Sequence, residues 1–551
     1  MAPTMDLTTL GWAAVALLAL FLVPRLAADR TTRLPVYGPW YLPHWVRGLL
    51  AIVRLGQDED AFMLELSRRY GTAVWIPWPM CQTFVVGTEA IEKVYRAPSK
   101  ILSFLPIRRE LQGTAFGADY GNDRSLMDGQ FFPVHTRGMS KNRLTAPLRR
   151  FIGSLREKFD SVSMRLEGLD ADGEVTLDLT EWVTEAFYDA TVTGFFGPRV
   201  LDARGTTRKE LYDAFEAYDH AFPIIASGLI PPFLVERIPD VKKARAAQHV
   251  LAATFADWVR NGFDGLEEGV VRDMAQVALD NGLGDYEAGK MLVADFWASM
   301  ANAPCIAVRL LVTLLQAPDD LRADLQREVD SAMSLIEGEG QSEEMMTFAH
   351  LAQSLPLLGS CISETMRLET STLSIRVVEQ ELVLATGAHG SAQQHVVVPA
   401  DSKLVCATRA HHLNDAAWEG NAAEWDGRRF LDSPHARDAD VLESKGSNWR
   451  SKRANQVYGF GGGISRCEGQ HIATAELKAL VAMLFYHFEA RIVVHRETAE
   501  ASRRFLPIRF AGSDKQGWRP KPVDGRVGMG AYQIPEEAQI EMKIKRRRRD
   551  P

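Results

Sequence analysis

Cys467 lies in the run Phe460-Gly-Gly-Gly-Ile-Ser-Arg-Cys-Glu-Gly469, behind three consecutive glycines and ahead of a helical pattern starting at Gln470. Consecutive glycines let a backbone turn tightly and approach a bulky group without Cβ clashes. A cysteine at a helix start has its thiolate favoured by free N–H groups and the positive end of the helix dipole. The spacing points to a thiolate ligand beneath a large flat cofactor. A Gly-rich turn with a structural cysteine is the alternative. Glu364 and Arg367 form a second pair, three residues apart and so on one helical face. An exposed pair of that kind contributes only about 0–1 kcal/mol, so its position decides its weight. Ala301-Asn302 stands just before Pro304 in an apolar helical pattern from Tyr286 to Leu315. An amide donates and accepts hydrogen bonds but does not ionise, so Asn302 could position an oxygen or a water. Alternatively, it bonds a carbonyl at the kink that Pro304 imposes by removing a backbone hydrogen bond.

The chain that must position these groups has 551 residues, 46% hydrophobic and 24% charged, an ordinary globular profile. A net charge of −8 argues against nucleic acid as the main partner. Cys81, Cys305, Cys361, Cys406 and Cys467 are scattered with no CxxC spacing, which speaks against a disulfide framework or a zinc site. Reduced thiols fit a cytosol-facing body. No linker or repeat interrupts that body, so one mainly helical domain with small β-sheets is expected over 29–551.

Ahead of it, 1–28 carries the apolar run Leu7–Val23, followed by Arg25, Arg30 and Arg33. With basic residues after the run, it is expected to be a single-pass signal anchor with a cytosolic body. Arg33 to Trp40 then reads as a stiff Pro/Gly hinge. Thr72–Gly87 is expected to form a β-hairpin. Phe215–Phe233 reads as a helix end and apolar loop, either core packing or the lid of a substrate channel. Ser331–Phe348 reads as an exposed acidic loop, and Ala538–Ile544 as a strand by its period of two. Arg137, Lys141, Arg143, Arg149 and Arg150 form a basic excess, either a solvated face or a docking site for an acidic partner. The basic tail Lys545–Arg549 fits attraction to anionic lipid or, by pattern alone, a nuclear signal.

The run from Phe460 to Gly469 fits F-x-x-G-x-x-x-C-x-G and resembles the haem-binding loop of cytochromes P450. Glu-Thr-Met-Arg367, the strand opening at Ser374-Ile-Arg376, and Trp425-Asp-Gly-Arg-Arg429-Phe430 follow one another in that family's order. The resemblance implies the P450 fold, with haem b between a long central helix and the Cys loop and its helix. It implies Cys467 as axial ligand, with Phe460, Gly461, Gly463 and Gly469 shaping the loop. Arg376 and Arg466 are the candidates for contact with the haem. Glu364, Arg367 and Arg429 would form the family's buried triad, which fixes the loop that sets the haem stretch.

The W-A-S-x-A-N stretch before Pro304 and D-x-x-F-P-x-x-x-x-G-L within Phe215–Phe233 resemble the branch holding steroid 7α-hydroxylases and prostacyclin synthase. The size, anchor and loops look fungal. Three departures stand out: Ser465 where the family often has Arg, Glu468 directly after the cysteine, and Ala301–Asn302 in place of an acid–Thr pair. His135 and Arg137 are weak substitutes for an absent W-x-x-x-R pattern. Glu468 would oppose the thiolate or lower the iron potential unless it faces solvent or pairs with Arg466.

The resemblance implies a monooxygenase in the endoplasmic reticulum membrane acting on a sterol, terpenoid or other lipid-like substrate. Electrons would come from NADPH through cytochrome P450 reductase, with cytochrome b5 as a further partner. The alternative is a haem-thiolate isomerase or dehydratase that acts on a peroxide without O2 or reductase.

Overall fold

The computed structural model describes residues 34–170, 173–200, 205, 207–228, 230, 232–338, 346–386, 394–431, 456–493, 504–523, 528–535 and 538–548. The Leu7–Val23 run lies outside them. The described chain is mainly helical with small sheets, as the sequence implies. It falls into two compact units, residues 1–103 with 375–410, and 104–374 with 411–551.

In the first unit, Ala73–Ile76 and Gln82–Val85 form the expected antiparallel hairpin, with Val74 opposite Phe84. Gln82–Val85 runs parallel to Lys403–Ala407. A second hairpin pairs Leu382–Thr386 with Gln394–Val398. The helix His44–Gln57 buries Arg47, Gly48, Ala51 and Leu55 but leaves Trp45, Leu49, Leu50 and Val53 exposed.

The second unit is built around the apolar segment Gly284–Gln316, long and apolar enough to cross a membrane but mostly buried inside the protein. The sequence reads as one helix kinked at Pro304. Instead there are two helices, Gly284–Met300 and Ala303–Gln316, with Asn302 between them at φ −121° and ψ −43°. Pro304 occupies the first turn of the second helix, where a missing N–H costs no helical bond. The break therefore precedes the proline. Ala303–Gln316 packs against the helices Pro356–Glu369 and Gln470–His487. Both of those are buried nearly all round, as central helices must be.

Ser331–Gly338, expected as the start of a loop, instead completes the helix Asp319–Gly338. Val329, Ala332, Met333 and Ile336 are buried at helical spacing, and that stripe outweighs the local Glu and Ser content. The C-terminal strand forms as expected, at Glu541–Arg546, with Met542 and Ile544 inward. It is the middle of a three-stranded sheet with Val175–Asp178 and Phe488–Val493. Three basic residues at its end have acidic partners: Lys545 with Glu489, Arg546 with Glu167, Arg547 with Asp330.

Candidate active site

The Cys467 loop is held by backbone geometry that needs glycine. Gly461 and Gly463 have φ of +69° and +64°, in the left-handed region where a Cβ is penalised. Gly461 N–H bonds Tyr458 O at 2.8 Å, and Cys467 N–H bonds Phe460 O at 2.8 Å, closing the turn. Gly469 caps the helix Gln470–His487. Cys467 is exposed by surface area. Yet burial raises its thiol pKa, against lowering by the Gly469 and Gln470 N–H groups. Phe460 is half-buried against the core.

Glu468 faces neither solvent nor Arg466. Its carboxylate meets His135 Nδ1 at 2.5 Å, Arg108 Nη2 at 3.1 Å and the Thr136 hydroxyl. His135 Nε2 reaches Asp295 on the helix Gly284–Met300, at 3.2 Å. Both ring nitrogens face carboxylates, so the ring must be an imidazolium to donate twice. Burial opposes its charge, but the bonds to Asp295 and Glu468 outweigh that and raise its pKa to about 9. Burial likewise disfavours the Glu468 carboxylate, but His135, Arg108 and Thr136 outweigh it and hold its pKa at about 2. Two cations balance two anions, so the charge beside the cysteine is compensated locally. The Arg466 side chain has no hydrogen-bond or ion-pair partner among the described residues, and its Nε is buried. Arg376 lies in the first unit, where it donates to Ile375 O at 2.8 Å; burial lowers its pKa.

Glu364 takes both Nε and Nη2 of Arg367 at 2.8 Å, and Arg429 Nε at 2.9 Å. All three side chains are buried. Glu364 also accepts from Asp426 N–H at 3.0 Å. Arg367 Nη1 donates to His412 O and Ala422 O, each at 2.7 Å. His412 Nε2 accepts the Tyr458 N–H at 3.0 Å, so the charge cluster reaches the Cys467 loop through one histidine. His412, Glu468 with His135, Arg108 and Asp295 are the parts that sequence reasoning did not assemble. The adjacent pair His411-His412, well ahead of the loop in sequence, was the only available signal for the first. The partners of Glu468 come from two distant helices and left none.

At the helix break, Asn302 Oδ1 accepts Ala531 N–H at 2.8 Å, and Ala301 O accepts from Gln533 Nε2 at 3.0 Å. The oxygen of the Asn302 amide is thus engaged by backbone, close to the alternative reading of this residue. Its Nδ2 has no hydrogen-bond partner among the described residues. One turn earlier, Trp297 stacks on Phe222 with centroids 3.7 Å apart and donates to Asp219 Oδ1 at 2.8 Å. Phe215, Tyr218 and Phe222 are buried, so this half of Phe215–Phe233 is core packing; Phe233 and Leu234 are exposed.

Comparison with known proteins gives the following relatives. Pig 5-beta-cholestane-3-alpha,7-alpha-diol 12-alpha-hydroxylase is 24% identical over 52% of this chain and 53% of its own length, about half of that relative. Sterol 14-alpha demethylase of Aspergillus nomiae is 23% identical over 81% of this chain and 84% of its own. Mouse 24-hydroxycholesterol 7-alpha-hydroxylase is 22% identical over 83% and 87%. The family model Cytochrome P450 matches residues 38–506, a span that takes in the helix break, the Glu364 cluster and the Cys467 loop. By that match, the chain belongs to the cytochrome P450 family.

Proposed function

We propose that this P450 monooxygenase hydroxylates or demethylates a sterol or a similarly apolar polycyclic molecule, with electrons supplied from NADPH through a flavoprotein reductase. The observation that carries the reading is the open but desolvated Cys467 sulfur at a helix start, in a chain whose relatives are sterol hydroxylases and a sterol demethylase.

The residues fit a haem. Cys467 offers a soft thiolate, and coordination to a metal deprotonates a thiol outright, offsetting the desolvation that raises its pKa. Gly461 and Gly463 hold the loop in a form other residues resist. Arg466, with a buried Nε lacking a partner, is suited to a propionate carboxylate, and Arg376 is the second candidate. Bound haem supplies the activation of O2 at its iron. Around it, Glu364, Arg367 and Arg429 fix the approach to the loop, and His135 with Arg108 neutralises Glu468. Asn302 orients what binds near the helix break by a donor that cannot ionise.

Exposed Arg137, Lys141 and Arg149, without partners among the described residues, support docking of an acidic redox partner, reductase or cytochrome b5. Exposed Trp40, Tyr41 and Trp45 support placement at a membrane surface, where the amphipathic ring systems of Trp and Tyr concentrate. The endoplasmic reticulum is the proposed membrane.

The test is reconstitution of purified protein with reductase, NADPH and a sterol panel under labelled O2. Label should appear in a product that requires the reductase. Product from a lipid peroxide without NADPH would instead identify an isomerase. Cys467→Ala should abolish the thiolate-type spectrum of the reduced carbonyl complex.

A further inference from the structure

The helix break at Ala301–Asn302 is not held by the helix itself. We infer that residues 530–533 form a strap that sets the geometry of this break, and that Asn302 and Gln533 are positioning residues for the reaction through that strap. The inference rests on the reading that the break flanks the haem on the face opposite Cys467.

Three side chains on one side of the second helix, Asn302, Cys305 and Arg309, all receive this short segment. Asn302 Oδ1 accepts Ala531 N–H at 2.8 Å. Gln533 reaches across the break, donating from Nε2 to Ala301 O at 3.0 Å and accepting the Cys305 thiol at 3.1 Å. Arg309, fully buried, donates to Tyr532 O at 2.7 Å and Gln533 O at 2.8 Å. Its Nη1 meets Glu369 at 2.8 Å, and Arg519 meets the other Glu369 oxygen at 2.6 Å. Tyr532 N–H bonds Glu369 O at 3.0 Å. A buried cation held by carbonyls of the segment anchors one end of the strap, and the helix break receives the other.

The fit is close at Gly530. A Cβ there would lie 2.3 Å from Asn302 Oδ1, and its φ is +111°. Glycine is required so that the strap can approach the amide. The contact also fixes which way that amide points. Ala531 N–H is a donor, so it selects the oxygen of Asn302 and leaves the NH2 as the group that remains. A strap that loosens therefore lets the amide turn over and the break relax. That alters the distal side of the iron without touching Cys467.

The test uses the haem-loaded protein and imidazole as the probe, because imidazole binds the iron opposite the thiolate and needs no substrate. Four proteins carry it besides the native one: Gly530→Ala, Gln533→Ala, Asn302→Ala and Gly530→Ala/Asn302→Ala. Each is first checked for the thiolate-type spectrum of the reduced carbonyl complex, which should be unchanged.

Gly530→Ala and Gln533→Ala should each change imidazole affinity about fivefold to tenfold, although neither side chain is expected to reach the iron. On the Asn302→Ala background, Gly530→Ala should have a clearly smaller effect, since the clash with Oδ1 is gone and only the backbone strain, common to both backgrounds, remains. Additive effects, or silence of both Gly530→Ala and Gln533→Ala, would overturn the strap. If Gly530→Ala fails to hold haem, Gln533→Ala alone decides by the same criterion. A native protein that shows no thiolate-type spectrum would instead defeat the underlying haem-thiolate reading.

Discussion

Replacing His135 with alanine tests the charge compensation beside the cysteine. In the native protein the ring is an imidazolium between Asp295 and Glu468, with Arg108 Nη2 also 3.2 Å from its Nδ1. Its pKa rises from 6.5 to about 9, because the two carboxylates outweigh the burial that opposes the charge. That interval corresponds to roughly 3 kcal/mol in favour of the folded state. The sign follows from a raised folded pKa: the contribution is complete below pH 6.5 and is lost as pH climbs through about 9.

Removing the ring also leaves Asp295, whose Oδ2 already lacks a partner, without its cation. The assay is urea unfolding of the haem-loaded protein from pH 6 to pH 10, followed by far-ultraviolet circular dichroism and the Soret band. His135→Ala should be less stable than the native protein by about 3 kcal/mol or somewhat more near pH 6, with the difference shrinking as pH rises from 6.5 to about 9. Adding Asp295→Asn should recover part of the loss. An unchanged midpoint at pH 6, or a difference that does not vary with pH, would refute the reasoning.

Glu364→Gln should cost about 3–5 kcal/mol, because it leaves Arg367 and Arg429 buried without an anion; the readouts are urea midpoint and haem retention. Burial without a charged partner pushes the Glu476 carboxyl up to about 8. That group therefore destabilises the fold progressively as pH rises from about 4.5 to about 8, by roughly 5 kcal/mol at most. Glu476→Gln should stabilise the protein at pH 8 and be nearly neutral at pH 5, read as the difference in unfolding midpoint. The pair Arg137→Glu and Arg149→Glu should slow reductase-driven reduction about tenfold at low salt while leaving imidazole binding unchanged. Loss of that effect at high ionic strength is part of the expectation, and stopped-flow reduction measures it.

The Cys467 loop, the Glu364–Arg367 pair and Arg429 were legible in the sequence because each depends on local chemistry. Glycines before a cysteine encode a backbone path, and i,i+3 spacing encodes a shared helical face. The apolar run of Tyr286–Leu315 announced a central helical segment in the same way, but not that it divides into two helices at Asn302. The helix 331–338 was misread because composition in a short window competes poorly with a buried stripe that only neighbouring helices make necessary.

Sequence alone thus determined the family and the fold class, and it singled out Cys467 as the candidate haem ligand. It left Glu468 as an unexplained anion and Asn302 as a bare substitution. Tertiary structure decided both, since Glu468 is neutralised by Arg108 and His135 from more than 300 residues away, and Asn302 is held by Ala531 from 229 residues away. The physical reason is one of range. Backbone and helix-face preferences are written in adjacent residues, whereas the balance of buried charge and the placing of a helix break depend on groups that only folding brings together.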